Sequence, residues 1–212
     1  MSFDRLAPHY TWLEKALAGP RLQRCRTRWL DELAGCERLL IAGVGHGHFL
    51  AACARAFPRL AITSVDASAA MLAHARNRAR RTAPNFGRLD FIHATLPSWQ
   101  PPPAGFDGIA THFFLDCFSP DELGAVVATL AHATRPSARW LLSDFTVPER
   151  GWARQRARAI HATMYAFFRP IAGVQARRVT PPDALLRAHG FALTHRKTTE
   201  WGLLHADLWT RG

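Results

Sequence analysis

The chain has 212 residues, a formal net charge of +11, 48% hydrophobic residues and 20% charged residues. This length predicts one domain, and the hydrophobic content excludes a wholly disordered chain. No apolar run approaches the roughly 18 residues of a membrane span, and residues 1–19 lack the apolar region of a secretory signal.

Short apolar runs alternate with amphipathic stretches along most of the chain, which predicts repeated strand–helix units and a parallel sheet. Buried strands are predicted at Arg38–Ala42, Leu60–Val65, Leu89–His93, Gly108–Phe113 and Trp140–Phe145. One or two helices are predicted within residues 10–34, and single helices at His48–Ala56, Ser68–Arg81, Pro120–Ala133, residues 151–169 and Pro182–His189. Ser68 is the predicted N-cap of its helix, and Gly190 closes the last one.

Two predicted strands at the end of the chain, Phe191–Lys197 and Leu203–Trp209, have no helix between them. Strands joined by a short turn pair antiparallel. The sequence therefore predicts an α/β domain with a doubly wound, seven-stranded, mostly parallel sheet whose last strand is antiparallel. Ligands in such sheets bind outside the carboxyl ends of the strands.

A glycine-rich loop, Gly43-Val44-Gly45-His46-Gly47, lies directly between the first predicted strand and a helix. Glycines at alternate positions allow a sharp turn and a close approach to a ligand at the helix N-terminus. Asp66 ends the second strand, where a carboxylate can accept hydrogen bonds from both hydroxyls of a ribose. A dinucleotide loop has the spacing GxGxxG, whereas His48 stands at its third glycine position, which disfavours a nicotinamide-dependent reductase.

With this loop the sequence resembles the class I S-adenosylmethionine (SAM)-dependent methyltransferases, whose sheet is Rossmann-like. The resemblance runs along nearly the whole chain, through the segments LLIAGVGHG, ITSVDASAAML, LDFIHATL, FDGIATHFFLD and RPSARWLLSDF. They are similar, in order, to the family's first motif, its ribose-binding strand, its adenine segment, its fourth strand and its fifth strand. The opening FDRLAPHY is similar to that of the ubiquinone/menaquinone-biosynthesis C-methyltransferases.

The resemblance implies SAM as cofactor and S-adenosylhomocysteine (SAH) as product, with a defined set of binding residues. It implies that the loop glycines approach the amino acid part of SAM, with Thr111 and Tyr10 also beside the cofactor. It also implies that Asp66 binds the ribose. The implied adenine contacts are Ala67, Met71, Ala94, Thr95 and Leu96. The family often has acids where Ile41 and Thr95 stand here.

Three side chains at predicted strand ends are candidates for catalysis. His112 follows the fourth strand and is either a general base for the acceptor or a structural histidine. Asp116 either orients His112 or caps a helix or loop. Asp144 ends the fifth strand and either faces the acceptor or caps the following loop. His46 and His48 form a poor metal site because no third ligand is near them, so no metal is predicted.

The domain is predicted to divide into an N-terminal helical cap (1–35), a SAM-binding core (36–146), an acceptor lid (147–180) and a C-terminal helix with two strands (181–212). The lid combines an apolar stripe, Ile160, Met164 and Phe167 or Phe168, with Arg154 and Arg158 one turn apart. This pattern favours either a lid over an anionic acceptor, a face resting on membrane lipid, or a helix packed on the sheet.

The predicted function is therefore methyl transfer to a small hydrophobic or anionic acceptor. The net charge leaves an RNA or DNA methyltransferase as an alternative, although the chain has Thr-His-Phe-Phe where many such enzymes carry an Asn/Asp-Pro-Pro-aromatic motif. The departures at Ile41 and Thr95 leave a SAM-binding protein without turnover as another. Four widely spaced cysteines without a CxxC pair predict a reducing, cytoplasmic location.

Overall fold

The computed structural model of the chain describes residues 19–84, 86–172 and 179–212, with side chains described over 20–84, 86–166 and 179–212. Its helices are α1 (Gly19–Arg26), α2 (His48–Ala56), α3 (Ala69–Thr82), α4 (Pro120–His132), α5 (Gly151–Ala172) and α6 (Asp183–Ala188). Its strands are β1 (Arg38–Ala42), β2 (Ala61–Asp66), β3 (Leu89–His93), β4 (Phe106–His112), β5 (Thr134–Phe145), β6 (Phe191–Thr199) and β7 (Leu204–Arg211). Short 3-10 helices lie at Leu30–Leu33, Leu115–Cys117 and Glu200–Gly202.

The strands form one seven-stranded sheet in the order β3-β2-β1-β4-β5-β7-β6. The pairs from β3 to β5 are parallel, and β7 runs antiparallel to both β5 and β6. The predicted fold class is thus confirmed. The strand order reverses between β1 and β4, so a crevice opens beyond their carboxyl ends, which is where ligands bind in this architecture.

Helices cover both faces of the sheet, as parallel strands buried on two sides require. On one face, apolar residues of α2 and α3 such as Phe49 and Leu72 pack against β1 and β2. On the other face, α4 and α6 pack against Trp140 and Trp209, which are fully buried. Within the described ranges, none of the helices combines the length and the apolar character that crossing a bilayer requires.

Most predicted element boundaries differ from the observed ones by one to three residues, and three differences stand out. Strand β5 begins at Thr134 instead of Trp140, because Thr134 already pairs with Phe106 before an irregularity at Ser137, whose φ is +61°. In the described part of the N-terminal helical region, α1 ends at Arg26, and a separate 3-10 helix follows at Leu30–Leu33. Strand β4 ends one residue earlier than predicted because Phe113 has a φ of +54°.

Candidate functional site

The loop between β1 and α2 is built from glycines that the structure needs for two different reasons. Gly43, Gly45 and Gly47 all have positive φ angles, of +74°, +50° and +74°. A Cβ at Gly43 would lie 2.4 Å from Phe114 Cδ2, and one at Gly47 would lie 2.6 Å from the Cα of Ala75. A Cβ at Gly45 would meet no heavy atom within 4 Å. Two glycines therefore permit close packing, whereas Gly45 leaves open space beside the loop.

Asp66 ties the end of β2 to this loop. One carboxylate oxygen, Oδ2, accepts a hydrogen bond from the Gly45 N–H at 3.2 Å, and Oδ1 accepts one from the Ser68 N–H at 2.9 Å. Ser68 in turn caps α3, as the sequence predicted, by accepting a hydrogen bond from the Met71 N–H. The carboxylate is thus held in a fixed position by backbone donors at the carboxyl edge of the sheet.

The loop and Asp66 open into a cavity of about 330 Å³ beyond the carboxyl ends of β1, β2 and β4. Most of the residues that the family resemblance implies for cofactor binding line it: Gly43, Gly45, Asp66, Ala67, Met71, Ala94, Thr95 and Leu96. His112 also lines the cavity, and so does Ile41. The strand order thus brings together residues that are far apart in sequence.

Other candidates lie away from the cavity or outside the described residues. Thr111 is buried, and its hydroxyl accepts a hydrogen bond from Trp140 Nε1 at 2.9 Å on the far side of the sheet from His112. Successive residues of a strand point to opposite faces, which explains why His112 reaches the cavity and Thr111 does not. Gly47 is the N-cap residue of α2 and is not among the lining residues. Tyr10 falls outside the residues that the structure describes.

His112 has an unusual environment for a residue at a ligand cavity. The residue is only 9% exposed, and its ring meets the Phe49 ring edge-on with 4.3 Å between the ring centroids. Neither ring nitrogen has a hydrogen-bond partner among the described residues. Burial, helped by the positive charge of Arg26, lowers the pKa of His112 to about 3. The imidazole is therefore neutral at physiological pH and has an unmet donor and acceptor.

The two candidate aspartates pair with each other and not with His112. Asp144 Oδ2 accepts from the Asp116 N–H at 3.2 Å, and its Oδ1 accepts from the Phe145 N–H at 2.8 Å. Asp116 Oδ1 accepts a longer hydrogen bond from the Cys117 thiol. Burial raises the pKa of both carboxyls, and the charge of Asp116 raises that of Asp144 further. Neither lines the cavity, so the pair joins the end of β5 to the 3-10 helix Leu115–Cys117.

Sequence reasoning missed several residues that line the cavity. Arg26, at the end of α1, is one of them, and its guanidinium lies 5.2 Å from the centre of the Phe113 ring. No local signal distinguishes it from the other arginines of the chain. Glu122 also lines the cavity, and its carboxylate accepts from the Ser119 N–H in the capping box of α4. The predicted start of this helix at Pro120 is confirmed, and the Ser-x-x-Glu pattern at Ser119 is the additional signal that marks Glu122.

The segment predicted as a lid, residues 147–180, includes α5, which packs against the body of the domain through its first half. Ala157 is buried beside Leu203 and Leu204, and the partly buried Ile160 packs against the same cluster. The Tyr165 hydroxyl donates to the Asp116 carbonyl at 3.3 Å, so α5 contacts the segment after β4. Arg154 and Arg158 are exposed. The side chains of Phe167 and Phe168 lie outside the described ones.

Comparison with known proteins gives matches to methyltransferases. Residues 39–137 match the model of the family described as a methyltransferase domain. A curated ubiquinone/menaquinone biosynthesis C-methyltransferase from Syntrophotalea carbinolica is 35% identical over 98 residues, which are 45% of this chain and 40% of that relative. The match thus spans less than half of the relative's length.

Two solved structures share the fold at low sequence identity. The 1,6-didemethyltoxoflavin N1-methyltransferase of Burkholderia thailandensis, solved with bound SAH, has a TM-score of 0.64 and 21% identity, covering 90% of this chain and 78% of that one. The magnesium protoporphyrin IX methyltransferase of Synechocystis PCC 6803, also with SAH, has a TM-score of 0.67 and 18% identity, covering 90% and 83%. Residues 39–137 therefore match a methyltransferase domain, and the chain as a whole has the class I SAM-dependent methyltransferase fold that its sequence resembles.

Proposed function

We propose that this chain is a SAM-dependent methyltransferase that acts on a small hydrophobic or anionic organic acceptor. One observation carries the proposal: Asp66 is held by the Gly45 amide at the edge of a cavity that the fold places beyond β1 and β4. The open space at Gly45 fits a ligand that approaches the loop backbone closely. The similar enzymes from Burkholderia and Synechocystis, which are named for small organic substrates, support the acceptor class.

Residues that line the cavity offer partners for the ribose, the adenine and the amino acid part of SAM. Asp66 would accept hydrogen bonds from the ribose hydroxyls, and Met71 and Leu96 would border the adenine. Thr95 would bond the adenine edge through its hydroxyl or its backbone, in place of the acid that related sequences often have. Gly43 and Gly45 would leave room for the amino acid part beside the loop. Bound SAM supplies a methyl group that is already activated for transfer.

Arg26 is the only arginine or lysine among the described residues that line the cavity. We propose that it binds an anionic group there, which is either the carboxylate of the cofactor or an anionic group of the acceptor. Replacement of Arg26 by Gln separates the two roles. Weaker SAH binding would assign the cofactor carboxylate, whereas an increased KM for the acceptor with unchanged SAH binding would assign the acceptor.

The chemistry requires the protein mainly to align the acceptor with the methyl group and to exclude water, because the displacement is in-line. His112 is neutral in the cavity, and its unmet hydrogen-bonding groups would be satisfied by an acceptor. With a pKa of about 3 it is a weak base. We propose that it positions the acceptor through a hydrogen bond. Phe113, Phe114 and Phe118 supply an aromatic wall for a hydrophobic acceptor.

Asp116 and Asp144 are proposed as positioning residues, because they fix the segment that follows His112 without lining the cavity. Asp144 receives two backbone hydrogen bonds, one from each side of the junction between β5 and that segment. Their replacement would change kcat through the placement of His112, and SAH binding would remain close to that of the unmodified protein.

The experiment that tests the proposed function follows SAH formation from SAM with purified protein and a panel of small phenols, carboxylates and amines. Transfer RNA and duplex DNA are included as separate acceptors. SAH formation with a small molecule, with a raised KM for SAM in Asp66→Asn, supports the proposal. Formation with nucleic acid alone would favour the RNA or DNA methyltransferase. SAM binding without turnover on any acceptor would favour a binding protein that does not transfer methyl groups.

A further inference from the structure

Two carboxylates line the cavity, and the proposed binding of SAM uses only one of them. Among the described residues that line it, the acidic side chains are those of Asp66 and Glu122. Asp66 is the proposed partner of the ribose, whereas Glu122 belongs to a different element, the first turn of α4. When a ligand displaces water from a cavity, a carboxylate there needs a hydrogen-bond donor or a cation in its place. Glu122 therefore requires a partner on the ligand.

The capping box of α4 fixes the Glu122 carboxylate and leaves one of its oxygens available. Oε2 accepts hydrogen bonds from the Ser119 N–H at 3.2 Å and from the Ser119 hydroxyl at 2.9 Å. Within the part of the chain that the structure describes, Oε1 accepts no hydrogen bond. Because the side chain is already held by its own helix, binding a ligand through Oε1 costs little conformational entropy.

The segment that leads into α4 lies near Asp66. Burial is the main cause that raises the pKa of Cys117, followed by the charges of Asp116 and Asp144, and the charge of Asp66 contributes as well. Such a contribution requires that the Cys117 thiol and the Asp66 carboxylate lie close to each other across the cavity. The chain between Cys117 and α4 is thus near the carboxylate proposed to bind the ribose.

The start of α4 also packs beside the residues that follow β3. Ala94 and Leu96, which are proposed adenine contacts, pack against the apolar cluster that contains Phe118 and Leu123. Leu96, Phe118 and Glu122 all line the same cavity. Glu122 directly precedes Leu123, so its carboxylate lies at the end of the cavity that the nucleoside would occupy.

We propose that Glu122 Oε1 accepts a hydrogen bond from the exocyclic amino group of adenine and makes the site specific for a 6-aminopurine. This inference rests on the proposed function, because it requires SAM in the cavity. The amino group has two N–H donors, so one can bond Thr95 and the other Glu122, and both residues line the cavity. The ribose hydroxyls are matched by Asp66, and the ammonium group belongs to the amino acid part beside the glycine loop. The amino group of adenine is thus the donor that remains for Glu122.

Replacement of Glu122 by Gln separates ligand binding from helix capping. Gln also forms a capping box, in which its carbonyl oxygen would take the place of Oε2 and accept from Ser119. Its NH2 group would then take the place of Oε1. There it would oppose the amino group of adenine but could donate to a 6-oxo group. The variant should therefore lose the preference for SAH over S-inosylhomocysteine, in which a 6-oxo group replaces the amino group.

The test is calorimetric titration of SAH and of S-inosylhomocysteine into the full chain. The unmodified protein should bind SAH about tenfold more tightly or better, because the 6-oxo group cannot donate to a carboxylate. Glu122→Gln should weaken SAH binding about tenfold or more and leave S-inosylhomocysteine binding unchanged or stronger. An unchanged melting temperature would show that α4 is still capped.

Asp121→Asn is the matched control for Glu122→Gln. It removes the same charge from the neighbouring position of α4, where the side chain is exposed and does not line the cavity. Neither Kd should change by more than about threefold in this variant. A loss of SAH affinity equal to that of Glu122→Gln would overturn the inference, because the effect would then come from the charge of the helix start.

The remaining outcomes contradict the inference in different ways. Equal losses of affinity for both compounds in Glu122→Gln would assign its carboxylate to the ribose or to the ammonium group. Unchanged Kd values would show that Glu122 is only a cap, and the proposed function would stand because SAH still binds. Failure of the unmodified protein to bind SAH would contradict the proposed function itself, and the inference with it.

Discussion

Replacement of Asp66 by Asn tests the role of the carboxylate at the edge of the cavity. Asn keeps the size of the side chain but has one acceptor oxygen and no charge. Charge-assisted hydrogen bonds contribute about 1.5–3 kcal/mol each, so loss of one to the ribose weakens SAH binding by about ten- to 150-fold. Isothermal titration calorimetry of SAH into both proteins measures this change directly.

The same substitution also disturbs the glycine loop, and the control must separate this effect from binding. Asn cannot accept from both the Gly45 and the Ser68 N–H, so the fold loses about 1 kcal/mol. Ser68→Ala removes the cap of α3 at a similar cost and leaves the Asp66 carboxylate in place. Asp90→Asn makes the same charge change at an exposed position of β3.

The Kd of each control variant for SAH should lie within about threefold of that of the unmodified protein. The reasoning is refuted if Asp66→Asn binds SAH as tightly as Asp90→Asn does. It is also refuted if Ser68→Ala weakens binding as much as Asp66→Asn, because the effect would then come from the loop and not from the carboxylate.

Three further predictions concern the loop and the buried titratable groups. Gly47→Ala should lower the melting temperature much more than Gly45→Ala, because the new Cβ would lie 2.6 Å from the Ala75 backbone. Gly45→Ala should mainly weaken SAH binding. Equal melting temperatures of the two variants would contradict this prediction. The pKa of His112 is about 3 in the folded protein, against 6.5 for an ordinary histidine. Between about pH 3 and pH 6.5 the unfolded chain therefore binds one more proton at this residue, and the free energy of unfolding rises with pH. In His112→Gln, the free energy of unfolding measured by chemical denaturation should rise less steeply with pH, by up to about 1.4 kcal/mol per pH unit. An unchanged slope would show that the His112 ring is not buried in its neutral form. The effect of Asp144 has the opposite sign, because its raised pKa makes the folded protein bind more protons than the unfolded chain above about pH 4. The free energy of unfolding therefore falls as pH rises. Asp144→Asn should make this decrease smaller in the same denaturation experiment.

Local patterns predicted the sheet well, because most parallel strands contain an apolar run, and Gly43 and Asp66 mark the ends of β1 and β2. Strand β1 and helix α2 have the predicted bounds, and Ser68 caps α3 as expected. The start of β5 was missed, because pairing of Thr134 with Phe106 depends on a neighbouring strand and not on the local sequence. Positions such as Ser137 with a positive φ also have no reliable signal in a non-glycine residue.

Some features of the site are encoded in short stretches of sequence, whereas others depend on contacts between distant segments. The glycine loop and Asp66 are encoded in contiguous motifs, and both line the cavity. The pairing of Asp116 with Asp144 and the approach of Arg26 join segments far apart in sequence, so their geometry emerges only in the fold. The opposite placement of Thr111 and His112 follows from strand alternation once the buried face of β4 is known.

The measurement that tests the central claim most directly is a calorimetric titration of SAH into the purified full chain, with NADH as the control ligand. The account predicts saturable, micromolar binding of SAH at one site per chain and no heat from NADH. Absence of SAH binding at millimolar concentration, or binding of NADH in its place, would contradict the assignment of this cavity to SAM.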